Sequence, residues 1–388
     1  MLLFRVVPFY LLKFMTNKIY IALVGGQPVP VYTGLRYVDP DKMLLICSRE
    51  SREEAERIEA LFEGSTEVIL CDPVDLKAIR QLGTALSERY AEDEVVLNVT
   101  SGTKAWSIVF YEVFRNHKQA HVIYIDQNNK YHDFMTDESI QLDLEKDIHY
   151  KLYGSLISSY KSFTDYTSDD EQVMQQLQSL RIKNLKDYNY LTAVLDQERK
   201  IELETKDYGT FRLDDGSFVE WDKTVPKVRL CLCNKMGNKY TKTFKSPNVM
   251  SLVFNSGWFE YKTALAFSKI RGVREIRMNC LFKAQNNIPK NEVDIILDMG
   301  NKLIFVECKT QIHDTTAIDK FHSVLKNYAG MGTKGIFVTD YPMKDNAKEK
   351  CKNNDLLVFS FDYKCSFDVN VYRLAMLIDE ELLKINKR

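Results

Sequence analysis

Several familiar signatures are missing from this 388-residue sequence. Its strand-and-helix region up to about residue 150 contains neither a G-x-x-x-x-G-K-[ST] loop nor a G-x-G-x-x-G turn, so the usual backbone cradles for ATP hydrolysis and for NAD are absent there. None of its eight cysteines forms a C-x2-C pair of the zinc-binding kind. There is no surplus of either charge: the net charge of −1 excludes a chain that binds nucleic acid by bulk basicity, while leaving room for a local patch. No internal repeat or low-complexity segment is present, which sets aside a repeat array. The opening segment does not read as a leader peptide. The opening "MLLFRVVPFYLLKFM" is apolar but has no basic start and no small-residue cleavage site, carries Arg5 and Lys13, and is too short to span a bilayer. It reads as an extension ahead of the true first residue, Met15, with a short membrane-associating tail as the alternative.

What is there is ordinary globular material, 45% apolar and 28% charged, enough for two or three domains without membrane insertion. Cys231 and Cys233 would share one face of a strand, and several other cysteines lie inside apolar runs. Reduced thiols in a cytoplasmic protein are therefore expected. From residue 18 the pattern alternates: "KIYIALVGG", "KMLLICS", "TEVILCD", "EVVLNVT" and "AHVIYID" read as strands separated by helices. Continuous apolar strands of this kind predict a parallel sheet covered on both faces, a Rossmann-like α/β domain over 16–150. Ser51 with Glu54 has the spacing of a capping box for the second helix, and Asp72-Pro73 suits the start of the third. Residues 151–247 read as a connecting module, helical to about 200 and then short strands and turns, for which a small winged-helix-like unit is one option. From 248 to 388 the pattern predicts a second α/β domain with a mixed sheet.

In that last region, "NEVDIILDMGNKLIFVECKTQ" (291–311) places Asp294, Glu307 and Lys309 inside apolar, β-prone runs. Charged side chains are seldom buried without partners. A two-residue turn at Gly300-Asn301 sets Met299 opposite Lys302 and, counting back, Asp294 opposite Glu307. Alternation then puts Lys309 beside Glu307 and turns Cys308 away. Two carboxylates this close repel unless one is protonated or a cation joins them, and an all-oxygen set suits Mg2+ or Mn2+. A metal-bound water and an adjacent lysine are the parts needed to hydrolyse a phosphodiester. The plain alternative, a structural salt bridge from Lys309 to Glu307 or Asp294, stays open.

These residues, with the "GWFEY" helix ahead of them, resemble the PD-(D/E)xK superfamily of restriction-endonuclease-like nucleases over the last 140 or so residues. The resemblance implies that Asp294, Glu307 and Glu260 bind metal, that Lys309 is the motif lysine and that Gln311 assists. Val293 stands where the family often has proline, and Glu292, on the same face as Asp294, could substitute as a ligand. An exposed helix acid is the alternative for Glu260. From Trp258 onward there are 21 Lys and Arg against 17 Asp and Glu, with Arg271, Arg274 and Arg277 clustered near the motif. A phosphate-tracking groove and a solvated surface both account for them.

Three polar loops should share one rim of the N-terminal sheet: Gly25, Gly26 and Gln27 after the first strand, Ser48 and Arg49 after the second, and Thr100, Ser101, Gly102, Thr103 and Lys104 after the fourth. Backbone N–H groups and a lysine at such a rim suit an anion. The N-x-T-x-G-T-K pattern is similar to the ligand loop of CRISPR-associated Rossmann-fold (CARF) sensor domains, with Ser101 where many relatives carry glycine. That resemblance implies a homodimer that binds cyclic oligoadenylate, tetra-adenylate foremost. A CARF sensor ahead of a PD-(D/E)xK domain resembles the ancillary nucleases of type III CRISPR antiviral defence, with DNA or RNA as substrate. A ligand-independent repair or restriction nuclease, or a ligand-responsive regulator that binds nucleic acid without cutting, are the competing expectations.

Overall fold

The computed structural model describes residues 16–385 apart from 144, 146, 195, 284–291, 301, 313 and 329–332. The extension 1–15, Asn291 and the expected turn residue Asn301 lie outside the described residues. The chain divides into two units, Met1–Gly154 and Ser155–Arg388.

In chain order the first unit contains β1 (Lys18–Val24), α1 (Pro28–Val38), β2 (Lys42–Cys47), α2 (Arg52–Glu59), β3 (Ser65–Leu70), α3 (Leu76–Arg89), β4 (Glu94–Asn98), α4 (Lys104–Phe114), β5 (Ala120–Ile125), β6 (Lys130–Asp133), β7 (Ser139–Gln141) and α5 (Ile148–Leu152). Its sheet runs β3-β2-β1-β4-β5-β6-β7, with the first five strands parallel and the last two antiparallel. The reason for the unbroken apolar runs is visible in β1. Tyr20, Ala22 and Val24 enter one core, Ile19, Ile21 and Leu23 the other, so both faces of the pleat need apolar side chains.

Two expected helix starts differ in detail. Ser51 makes no side-chain cap on α2; its hydroxyl instead donates to Val24 O at 2.7 Å and accepts from Ser48 N. A tertiary partner outcompetes the local one. The third helix begins later than Asp72-Pro73 suggests: Asp75 caps α3 through Lys77 N and Ala78 N, while Asp72 closes the preceding turn by accepting from Val74 N and Asp75 N.

The second unit continues with β8 (Ile157–Ser162), α6 (Ser168–Arg181), α7 (Leu185–Thr192), α8 (Gln197–Thr205), β9 (Tyr208–Arg212), β10 (Phe218–Asp222), β11 (Lys227–Cys233), β12 (Lys239–Lys245), α9 (Val249–Val253) and α10 (Gly257–Ser268). Then follow β13 (Glu275–Phe282), β14 (Glu292–Asp298), β15 (Leu303–Lys309), α11 (Thr316–Tyr328), β16 (Lys334–Thr339), α12 (Asp345–Asn353), β17 (Leu356–Ser360) and α13 (Phe367–Ile385). A six-stranded mixed sheet, β17-β16-β15-β14-β13-β8, stands beside a four-stranded antiparallel sheet, β12-β11-β10-β9. One hydrophobic core runs from Val173 on α6 through Trp221, Trp258 and Ile295 to Ile378 on α13, joining the middle segment to the C-terminal one. β8 is the unobvious member, an edge strand bonded to β13 more than a hundred residues later.

All eight cysteines are free, and seven are buried. Among the described residues, no helix is long and apolar enough to cross a membrane.

Candidate active site and ligand rim

The β14–β15 hairpin has the register read from its sequence. Ile295 pairs with Val306 and Asp298 with Leu303, and Met299 N donates to Lys302 O at 2.9 Å. Gly300 turns the chain at φ 84°, where a side chain would be strained and would meet the Arg274 guanidinium. One step beyond the Ile295–Val306 pair, the same register brings Asp294 and Glu307 together at the open end. Asp294 Oδ2 accepts from Cys308 N at 2.7 Å. Lys309 Nζ lies 2.6 Å from Glu307 Oε1 and 3.8 Å from Asp294 Oδ2. The carboxylates are largely buried, with 15% and 14% of their side chains exposed, whereas the lysine keeps 40%.

Glu260 reaches the same place from α10. That helix starts against the preceding turn so tightly that a Cβ on Gly257 would overlap Ser251 O. Glu260 is half-buried, and its Oε2 accepts from Asn279 Nδ2 at 2.8 Å. Asn279 sits at φ 50° where β13 shifts register, a backbone irregularity that turns its amide toward Glu260 and Glu292. Sequence reading missed it; the one signal is a polar Asn between the apolar Met278 and Cys280 of the strand. Gln311 is exposed two residues past β15, and no hydrogen bond among the described residues ties it to the carboxylates.

The electrostatics follow from crowding acids in a dry place. Burial, then the neighbouring Asp294 charge, pushes Glu260 up to about 8 despite the Asn279 amide. The same two causes raise Glu307 to about 7, against the pull of Lys309. Burial raises Asp294 although Lys309 and the Cys308 N–H favour its charged form. Glu292 is raised too, by burial and by Asp294. Burial would lower Lys309, but Asp294 and Glu307 more than reverse it and fix the ammonium. Among the described residues, no group of three His, Cys, Asp or Glu side chains is drawn tightly enough together to hold a metal ion. As arranged, the lysine occupies the space between the two nearest acids.

The rim loops lie where β1 and β4 part to opposite sides of the sheet, the switch point of the topology. Gly25 N donates to Ser101 Oγ at 3.0 Å, and a Cβ on Gly25 would stand 2.7 Å from Gly102 N, so these two loops touch. Several expected ligand hydroxyls are occupied within the fold. Thr100 Oγ1 accepts from Ile125 N at 2.7 Å, Thr103 Oγ1 caps α4 through Trp106 N, and Ser48 is bonded to Ser51. Gly26, Arg49, Gly102 and Lys104 project to solvent, while Gln27 is half-buried at the start of α1. Missed by sequence was the role of Asn98. It is fully buried, accepts from Thr100 N at 2.9 Å and donates to Tyr20 Oη at 2.7 Å, anchoring the loop.

Comparison with known proteins bears on this unit most directly. Residues 19–153 match the family model of the Card1 CARF domain. At the level of fold, the whole chain is similar to Can2 from Sulfobacillus thermosulfidooxidans, solved in complex with cyclic tetra-adenylate (TM-score 0.65, 18% identity, 93% of this chain and 96% of that one). It is equally similar to protein VC1899 from Vibrio cholerae (TM-score 0.67, 15% identity, 95% and 98%). A type III CRISPR defence DNA nuclease activated by cyclic oligoadenylate shares the fold over 89% of this chain and 48% of its own (TM-score 0.51, 16% identity). No curated protein matches the sequence.

Proposed function

We propose that this chain is a metal-dependent nuclease switched on by cyclic oligoadenylate, acting as a homodimer on DNA or RNA in type III CRISPR antiviral defence in the cytoplasm. Cyclic tetra-adenylate is the first candidate activator. The observation that carries the catalytic half is the gathering of Asp294, Glu307 and Lys309 at one buried hairpin end, with Glu260 approaching from α10. The sensing half is supported by the CARF match over 19–153 and by the fold shared with a protein solved with cyclic tetra-adenylate.

The donor set fits a hard divalent cation, Mg2+ or Mn2+: all its ligands are carboxylate oxygens, and carboxyls held well above their usual range mark negative charge that lacks compensation. When bound, the ion would lower the pKa of a water molecule and polarise a phosphoryl oxygen. Asp294, Glu307 and Glu260 would hold it. Lys309 would leave its place against Glu307, where its ammonium can orient the attacking water and neutralise charge growing on the phosphate. Asn279 holds Glu260 in position, and Gln311 stands at the outer end of the strand as a polar helper. At the rim, Arg49, Lys104 and the backbone of Gly26 and Gly102 would meet the ligand's phosphates, while Gly25, Gln27, Ser48, Thr100, Ser101 and Thr103 shape the loops that present them. Ligand acts only through a difference in affinity between two arrangements of the protein.

One observation favours a second reading. The close Lys309–Glu307 contact is also what a structural ion pair looks like, and a regulator without cleavage would keep it. Cleavage assays with Mn2+ or Mg2+ on the intact chain and on Glu307→Ala separate the two: the regulator reading requires no cutting by either.

A further inference from the structure

Strands β15, β16 and β17 are parallel and end together, Lys309 level with Thr339 and Thr339 with Ser360. Ligands of parallel strands gather beyond their carboxyl ends. Past the ends of β16 and β17 lies a cavity of about 690 Å3, and a second of about 760 Å3 adjoins it along the outer edge of β17 beside α12; the two share Pro342, Phe361, Asp362 and Tyr363 in their walls. Strand spacing sets the ends of β16 and β17, which the first cavity abuts, about 5 and 10 Å from the Lys309 end of β15.

Their lining has two features that packing alone does not require. The first is buried charge. Arg181 from α6 and Lys262 from α10 keep only 6% and 14% of their side chains exposed, and both pair with Asp340. Lys262 Nζ stands 3.0 Å from Asp340 Oδ1 while Arg181 bonds the other oxygen, so two buried cations share one carboxylate. Over both cavities the cations are Arg181, Lys262, Lys348, Lys352, Lys364 and Arg373, six against the three carboxylates Asp340, Asp355 and Asp362. Lys348 also pairs with Asp345 outside the lining, and an anion entering the cavities would meet the remaining excess of positive charge. The second feature is Tyr363, which is 75% exposed in the wall between the cavities.

We infer that the two cavities form a track for an unpaired stretch of nucleic acid, with backbone phosphates on this basic lining and a base stacked on Tyr363. Stacking on an exposed ring needs a base free of its partner, and a pocket of this size admits a base rather than a duplex. The track rests on the proposed nuclease function for its purpose, since it would steer a strand toward Asp294 and Glu307.

The test is fluorescence anisotropy on the full chain, in EDTA to prevent cutting, with labelled single-stranded oligonucleotides and their duplex. Tyr363→Ala should weaken single-strand binding about tenfold, Tyr363→Phe should restore it, and duplex binding should not follow either change. The double variant Lys352→Glu, Lys364→Glu should weaken binding and flatten its salt dependence by about 1.4 in slope. Unchanged single-strand affinity in these variants, or equal losses for duplex, overturns the track. Cleavage by the wild type alongside unchanged binding by Tyr363→Ala overturns the track alone. Tyr363-dependent binding by a chain that never cleaves upholds the track and overturns the nuclease reading.

Discussion

The Lys309 ammonium sits 2.6 Å from a Glu307 carboxylate oxygen, on adjacent same-face positions of one strand. Asp294, from the paired strand, stands 3.8 Å from the same nitrogen. If this group is a catalytic centre, its members are not interchangeable with neutral residues of similar shape. Glu307→Gln, Asp294→Asn and Lys309→Met should each lower single-turnover cleavage about a hundredfold or more, with the fold retained by circular dichroism.

Asn279 touches no substrate in this account and acts through Glu260. Asn279→Ala should weaken the apparent affinity for Mn2+ about 10–100-fold while saturating Mn2+ restores most of the cleavage rate. A purely structural role would lower stability without that rescue by metal.

Proton and metal compete for the same carboxylates. With Glu307 near 7 and Glu260 near 8 in the metal-free protein, cleavage at limiting Mn2+ should rise as pH climbs from about 6 to about 8. More Mn2+ should move the midpoint to lower pH, as a stopped-time assay at several metal concentrations would show.

The same shifts set a stability trend. Both carboxyls sit above the 4.5 of an ordinary glutamate, so the folded state holds protons that the unfolded chain releases. That stabilisation is full below about pH 4.5 and drains as pH rises through about 7 to 8. In EDTA the melting temperature of the second unit should therefore fall over this range, and Glu260→Gln should flatten the fall. Added Mg2+ or Mn2+ should recover more at the alkaline end.

At the N-terminal rim, Lys104→Ala and Arg49→Ala should each weaken cyclic tetra-adenylate binding about tenfold in calorimetry, with the fold intact. Gly102→Ala should abolish it, since Gly102 has φ 79° and a Cβ there would press to 2.7 Å from the Trp106 ring.

Much of this arrangement is legible in the sequence because it is local. The hairpin register follows from Gly300 and strict alternation, and the parallel sheet from strands such as Lys18–Val24 that are apolar on both faces. What the sequence does not disclose depends on partners far along the chain. Ser51 looks like a helix cap until Val24 O takes its hydroxyl. The polar run Ile157–Ser162 gives no hint that it edges the sheet beside β13. Asn279 needs a left-handed backbone inside a strand to face Glu260, and no local pattern announces that. The balance of two buried cations on Asp340 likewise brings together α6, α10 and the end of β16.

The most direct measurement is cleavage of labelled DNA and RNA by the full chain in Mn2+, with and without cyclic tetra-adenylate or hexa-adenylate, beside Glu307→Ala. The account expects cutting that depends on one of these ligands and disappears in the variant. Cutting that ignores the ligand, or a variant as active as the wild type, would contradict it.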